Sequence, residues 1–517
     1  MVITGRFSWR RGLAVGTAAI LLLTVNLQWN RTLAAGNTAN GANPQSSDTH
    51  PAKNTTPHKH AKPKPPKPVP LSALDPVPIE TGEGNPLEAF FRALSGLASS
   101  TTDGTAPQVV RIIHFGDSHV ASDYWAGVLR ESFQAKFGDA GPGFVLPGRP
   151  WSTIRYADAR SLDGKGWRTD GLGVQENDGV VGLGGMSLES YREALPASGL
   201  ASFSRFEILA AVRPGSDCLT VQLDDSALPG LTAKSESVIP PSPPAAPDSL
   251  VPEPSSRSLG GGAADPPGPV SQQKSTKGKK KRRKPTPPVP PWKPWPTGAP
   301  LDLLVLTGSA PPSTEPHRIS IRSSCESDAR LLGVEFYSGS KGVIYDTDGV
   351  NGARLVDLNK PLPALRKALL RQAQPALIIV SYGTNDIGTK GFTASDYEER
   401  AFQILSKLKE DAGDASILVT GPTDRGSPRK KMRAYIQAAQ AELQPALRRA
   451  ALRAGCAYWD QQAAMGGPGS MTRWVRAGLA GYDYVHFSGA GYHRLAEMLF
   501  DQVMSGYTKF LDSQSSQ

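Results

Sequence analysis

The chain has 517 residues, 53 glycines, 46 prolines, three cysteines and a net charge of +10. It is too long for one ordinary core, and its glycine and proline content implies substantial non-compact chain. Three cysteines exclude a disulfide scaffold and a four-cysteine zinc site.

The prolines and the positive charge share the same places. Residues 37–84 and 233–300 hold 28 of the 46 prolines. Five lysines lie between Lys53 and Lys67, and nine Lys or Arg between Lys274 and Lys293, with no acidic residue in either tract. These charges exceed the net charge, so the rest of the chain is slightly acidic. A basic folded surface that reads phosphates is not indicated, and no specific nucleic-acid partner is expected.

In chain order, Arg6, Arg10 and Arg11 precede the uncharged apolar stretch Gly12 to Trp29, and small residues follow at Ala34 and Ala35. Residues 1–36 read as a signal peptide or as an uncleaved inner-membrane anchor. Either places the remainder outside the cytoplasm, in the periplasm or cell envelope. Residues 37–84 read as a disordered Lys/Pro-rich linker that cannot bury enough apolar surface to offset its chain entropy. His58 and His60 sit within it and are not a catalytic metal site; no metal or cofactor is expected.

Order begins near Asn85. Leu87, Phe90, Phe91, Leu94 and Leu97 recur at helical spacing, and Val109 to Phe115 is an apolar run of strand length ending in Gly116-Asp117-Ser118-His119. An amphipathic stretch with Trp125, Val128, Leu129 and Phe133 follows, so Ser118 falls at a strand-to-helix turn. The pattern returns later. Ala376 to Tyr382 is a strand ending in Gly383-Thr384-Asn385-Asp386, and Ser416 to Thr420 is one ending in Gly421-Pro422-Thr423. Tyr397 to Leu408 and Met432 to Leu452 read as helices. Ala457-Tyr458-Trp459 is strand-like, Cys456 beside it reads as a core residue, and Ser488 caps a final helix. Strand-helix alternation predicts a parallel sheet covered on both faces.

Between these blocks the segments are short and β-like: Arg205 to Val212, Leu219 to Leu223, Leu301 to Leu306, Arg318 to Ile321 and Leu331 to Tyr337. Alternation in the last two predicts half-buried antiparallel strands, hence a β-sandwich inserted over residues 146–340, with 233–300 as a disordered excursion. Cys218 and Cys325 flank that excursion and read either as a disulfide across it or as two buried thiols. Ser187, after Gly184-Gly185-Met186, reads as a loop residue. Gly182, Gly184 and Gly185 are alternative backbone donors, and Trp151 and Trp167 are candidates for stacking on sugars or for the sandwich core.

The blocks resemble the SGNH (GDSL-like) hydrolase superfamily, in the family's order. Ser118 matches the nucleophile, Gly352 in Gly349-Val350-Asn351-Gly352-Ala353 the oxyanion glycine, Asn385 the oxyanion asparagine, and Asp483 with His486 the D-x-x-H pair. The resemblance implies a flavodoxin-like three-layer α/β domain with a parallel sheet, formed by residues 85–145 and 341–517. A serine hydroxyl attacks only if a base takes its proton, the role implied for His486, with Asp483 holding the imidazole. Ser118 N–H, Gly352 N–H and the Asn385 amide are the implied oxyanion donors.

The insert makes the layout similar to bacterial peptidoglycan O-acetylesterases, in which a sandwich resembling a carbohydrate-binding module interrupts the SGNH domain. That resemblance implies an exported serine acetylesterase acting on an acetylated cell-wall polysaccharide, foremost peptidoglycan. The alternatives are a lipase, esterase or acetyltransferase for another glycan or lipid, and a catalytically inactive wall-binding protein.

Overall fold

The computed structural model describes residues 72–98, 109–146, 154–162, 167–172, 178–190, 197–228, 230–238, 294–324, 329–387 and 392–516. Residues 1–36, expected to be a signal peptide or anchor, residues 37–71 of the first linker with His58 and His60, residues 239–293, Trp151 and Cys325 lie outside the described residues.

The chain opens with helix α1 (Glu88–Ala98), strand β1 (Val109–Gly116), the one-turn helix α2 (Ser118–Ala121) and helix α3 (Tyr124–Phe137). Twelve strands follow: β2 (Gly143–Val145), β3 (Ala159–Leu162), β4 (Trp167–Gly171), β5 (Met186–Ser190), β6 (Ala197–Ala201), β7 (Arg205–Val212), β8 (Leu219–Leu223), β9 (Ser226–Ala227), β10 (Thr232–Val238), β11 (Leu301–Ser309), β12 (His317–Ser323) and β13 (Ala329–Tyr337). The α/β pattern then resumes with β14 (Gly342–Gly349), α4 (Pro363–Ala373), β15 (Leu377–Ser381), α5 (Ala394–Ala412), β16 (Ser416–Thr420), α6 (Lys430–Arg453), β17 (Ala457–Trp459), α7 (Gln461–Ala464), α8 (Ser470–Arg476) and α9 (Gly489–Ser515).

Five of these strands form a wholly parallel sheet in the order β14-β1-β15-β16-β17. The second strand lies outside the first, which is the flavodoxin-like order. Alternation along β1 explains the three layers: Val110 and Ile112 pack with residues of α1, α3 and α9, whereas Ile113 and Phe115 pack toward α5 and α6. β14 escapes the sequence pattern because Asp346 and Asp348 interrupt its apolar run.

The insert is a sandwich of two antiparallel sheets, β10-β11-β7-β13-β5-β4 with β2 added to β13, and β3-β6-β12-β8-β9. Phe206, Ile208, Ile319, Ile321, Val334 and Phe336 belong to one core cluster that draws on both sheets. Because β2 pairs with β13, the chain enters this unit at Gly143, ahead of the expected 146.

Three further expectations are corrected. The excursion is narrower than 233–300: Thr232–Val238 pairs antiparallel with β11, and Trp295 is buried in a cluster with Leu301 and Leu365. β10 was illegible because it is a sheet edge whose side chains are almost all exposed, so it carries no apolar alternation. The first linker also ends in docked chain. Glu80 exchanges backbone hydrogen bonds with Tyr458, Val77 C=O accepts from Trp459 Nε1 at 3.0 Å, and Ile79 packs on the core. Ser187 is a buried residue of β5, not a loop residue.

The sandwich is joined firmly to the α/β domain. Leu365 and Leu369 of α4 pack against Leu209, Leu303 and Val305 of the large sheet. Beside them the buried Arg111 guanidinium donates to Asp346 at 2.6 Å, Glu335 at 2.7 Å and Tyr337 OH at 2.9 Å. Cys218 is disulfide-bonded, while Cys456 is a buried unpaired thiol.

Candidate active site

Two glycines bring the ends of β1 and β14 against α2. A Cβ at Gly116 would lie 2.3 Å from Val120 Cγ2, and one at Gly349 only 2.1 Å from the Ala121 nitrogen. Larger residues would push α2 off the sheet. Ser118 is the first residue of that helix, where helical geometry leaves its N–H unbonded, and the Asp117 side chain caps the turn by accepting from His119 N–H at 3.0 Å.

Ser118 Oγ lies 2.9 Å from His486 Nε2, although 368 positions separate them. His486 Nδ1 is 2.7 Å from Asp483 Oδ2, and Asp483 Oδ1 accepts from the N–H groups of Val485 and His486 at 3.0 and 3.1 Å. Burial pushes the Asp483 carboxyl up, but the hydrogen bonds from His486 and Val485 outweigh it and leave it below its ordinary range. An ionised carboxylate only accepts, so Nδ1 carries the imidazole hydrogen and Nε2 is the acceptor for the Ser118 hydroxyl. The loop is supported from below: Tyr484 takes a left-handed φ of 60°, and its carbonyl accepts from Gly426 N–H at 2.9 Å.

On the other side of Ser118, Asn385 Nδ2 donates to Ala353 C=O at 3.0 Å and to Asp117 Oδ2 at 3.2 Å. Both amide hydrogens therefore have partners, the longer bond being to Asp117. Gly352 adopts φ +76° in a turn with open space around it. Arg425 Nη1 donates to Thr384 C=O at 2.8 Å and so fixes the residue before Asn385. Burial, with the nearby Asp386 charge, pushes the Asp117 carboxyl up to about 7 against the His119 hydrogen bond.

Ser118, His486, Asp483 and Asn385 are thus brought together at the C-terminal end of the sheet, with the Gly352 turn bonded to Asn385 through Ala353. Two of the rival donors are engaged elsewhere: Gly182 N–H donates to Met186 C=O and Gly185 N–H to Gly182 C=O, within their own turn. Trp167 is partly buried against the sandwich core. Among the described residues no three His, Cys, Asp or Glu side chains group as a metal site.

Sequence reasoning gave no role to His119, Tyr492 and Arg425. The His119 ring centroid is 5.3 Å from that of His486, and its Nδ1 is 3.0 Å from Tyr492 OH. Burial pushes this imidazole down to about 3, so it faces His486 as a neutral ring. The available signal was positional: His119 follows Ser118 directly, and Arg425 follows a strand ending in Gly-Pro-Thr at the same sheet edge.

The GDSL-like Lipase/Acylhydrolase family matches residues 328–494. A solved structure described as "Peptidoglycan O-acetylesterase in action" is similar over 83% of this chain and 99% of its own, with a TM-score of 0.56 and 20% identity, a likeness of fold. A lipase/acylhydrolase from Enterococcus faecalis (TM-score 0.25, 19% identity, 32% of this chain and 76% of its own) and an acetyl xylan esterase (0.25, 16%, 32% and 81%) match too weakly to carry an argument. No curated protein sequence matches the chain. The family-matched segment covers the later part of the α/β domain, which β1 and α2 from before the insert complete in space; with the likeness of fold it supports a carboxylic ester hydrolase similar to the GDSL-like lipases/acylhydrolases.

Proposed function

We propose that the chain is an exported serine esterase that removes O-acetyl groups from a cell-wall polysaccharide, with peptidoglycan as its substrate. The observation that carries the reading is the 2.9 Å contact between Ser118 Oγ and His486 Nε2, backed by the ionised Asp483. His486 takes the hydroxyl proton as Ser118 attacks the acetyl carbonyl, and Asp483 stabilises the imidazolium that results. The oxyanion meets Ser118 N–H, Gly352 N–H and the Asn385 amide, which exchanges its longer bond to Asp117 for the developing charge. His486 then returns the proton to the departing sugar oxygen, and water, activated by the same imidazole, releases acetate from Ser118.

Three observations support the glycan side. The overall fold is similar to that of a peptidoglycan O-acetylesterase over most of both chains. The sandwich supplies a second unit packed against the esterase domain through α4 and the Arg111 cluster. A disulfide-bonded Cys218 suits an oxidising compartment, which supports the reading of residues 1–36 as an export segment. Purified protein is expected to hydrolyse 4-nitrophenyl acetate, with Ser118→Ala at least about 10³-fold slower. Acetate release from O-acetylated peptidoglycan should exceed that from acetylated xylan. Equal small-ester rates for both proteins would sink the serine mechanism, and a preference for xylan would sink the substrate.

A further inference from the structure

The loop that leaves β16, residues 421–427, touches both halves of the site. Arg425 Nη1 donates to the C=O of Thr384, the residue before Asn385, at 2.8 Å. The next residue, Gly426, donates its N–H to the C=O of Tyr484, between Asp483 and His486, at 2.9 Å. Earlier in the loop Pro422 meets Gly383, where a Cβ would lie 2.8 Å from the proline ring, so the Asn385 turn sits directly on this segment. The oxyanion amide and the base are therefore held by one short stretch of chain.

That stretch is itself anchored from beneath. Gln440 and Gln444, both buried on α6, donate to the Thr423 and Pro422 carbonyls at 2.7 Å, and Gln440 Oε1 accepts from Arg425 N–H at 3.1 Å. The buried Asp424 side chain accepts from Gln462 Nε2 and from Met471 N–H, each at 2.8 Å. A loop satisfied in this way has little freedom to drift, so the groups it holds are placed accurately. Arg425 carries a cost for its grip, because its Nε is buried without a partner among the described residues. An apolar side chain would avoid that cost but could not hold the Thr384 carbonyl. Burial governs how Asp117 and His119 titrate, and the Arg425 charge acts on both more weakly, so the guanidinium lies within electrostatic reach of the two neighbours of Ser118.

We propose that Arg425 is a positioning residue for ester hydrolysis: by holding the Thr384 carbonyl it sets the Asn385 amide where the oxyanion develops. It touches no reacting atom. The same loop holds the His486 turn through Gly426, so donor and base keep one spacing, and a displacement of about 1 Å at such a donor costs on the order of 10²-fold in rate. The inference rests on the serine-esterase reading and deepens it by naming what keeps the oxyanion site in shape.

The test is Arg425→Met, with 4-nitrophenyl acetate as substrate and methylboronic acid as probe, whose tetrahedral adduct with Ser118 places an oxygen where the oxyanion forms. Both kcat and kcat/KM should fall about 10²-fold, with KM within about twofold of the native value. The inhibition constant of methylboronic acid should rise at least about tenfold. A purely structural loss lowers the amount of active protein, which scales kcat but leaves that inhibition constant where it was. Arg425→Lys, which keeps the charge and a donor, should recover most of both effects. An unchanged inhibition constant in folded Arg425→Met overturns the proposal, and so does a raised KM with kcat unchanged, which would put Arg425 on the substrate. If Arg425→Met does not fold, Arg425→Gln is read by the same two measurements. If the native protein fails on 4-nitrophenyl acetate, the esterase reading falls and methylboronic acid alone decides: weaker binding to Arg425→Met upholds the positioning role, and equal binding overturns it.

Discussion

Replacing Asp117 with asparagine isolates a buried charge that the site carries at a cost. The carboxyl is 1% exposed, and burial together with the Asp386 charge pushes it from an ordinary 3.8 up to about 7. The folded state therefore holds this proton more tightly than the unfolded chain does. Its contribution to stability is complete below the ordinary carboxylate range, declines as pH rises and is lost once pH passes about 7. A shift of roughly three units corresponds to about 4 kcal/mol across that window. Asparagine does not titrate, so the stability of the native protein minus that of Asp117→Asn should fall by up to this amount between pH 4.5 and 8. Asp386, raised to about 6, slopes the same way but is present in both proteins and largely cancels. Urea unfolding at pH 4.5, 6 and 8 measures the difference. Parallel stability curves would refute the claim that Asp117 is protonated in the folded protein at mildly acidic pH.

Other expectations concern packing and the relay. Arg111→Met strands Glu335 and Asp346 in a buried place and should cost about 3–5 kcal/mol in unfolding experiments, whereas replacing all three with apolar residues should recover much of it. Gly349→Ala puts a methyl against the Ala121 nitrogen and displaces α2, so kcat/KM on a small ester should fall about 10²-fold, far more than melting temperature would suggest. His119→Phe keeps a ring beside His486 and loses the bond to Tyr492. Because His119 is already neutral at physiological pH, the acid limb of the pH–rate profile should keep its midpoint while the rate drops, and a vanished limb would make His119 the base instead.

The sequence was legible where local pattern and tertiary role coincide. Arg205–Val212, Leu219–Leu223 and Ser416–Thr420 are apolar or alternating runs whose observed bounds match the pattern, because each is buried as its side chains demand. The site blocks were legible for a different reason: Gly116 and Gly349 stand where two backbones meet, and no other residue fits. Long-range compensation stayed hidden. β14 carries Asp346 and Asp348 into a fully buried strand, where the distant Arg111 and the Phe144 N–H satisfy Asp346. Residues 72–84 read as linker because their few apolar side chains, Val77 and Ile79 among them, gain a role only against the core cluster of Trp459 and α9, and Glu80 only against Arg448 of α6, all far along the chain.

The neck between the two domains decides how they can cooperate. Ser338 N–H donates to Ala140 C=O at 2.9 Å and Val343 N–H to Gly138 C=O at 2.8 Å, so the strands entering and leaving the insert are zipped together. At the same place Arg111 of β1 bonds to Glu335 and Tyr337 of β13 and to Asp346 of β14. A hinge needs residues free to change φ and ψ, and here the backbone is paired and the charges are buried. The sandwich therefore keeps a fixed bearing relative to Ser118, since swinging it would expose the Arg111 cluster and the α4 contact together.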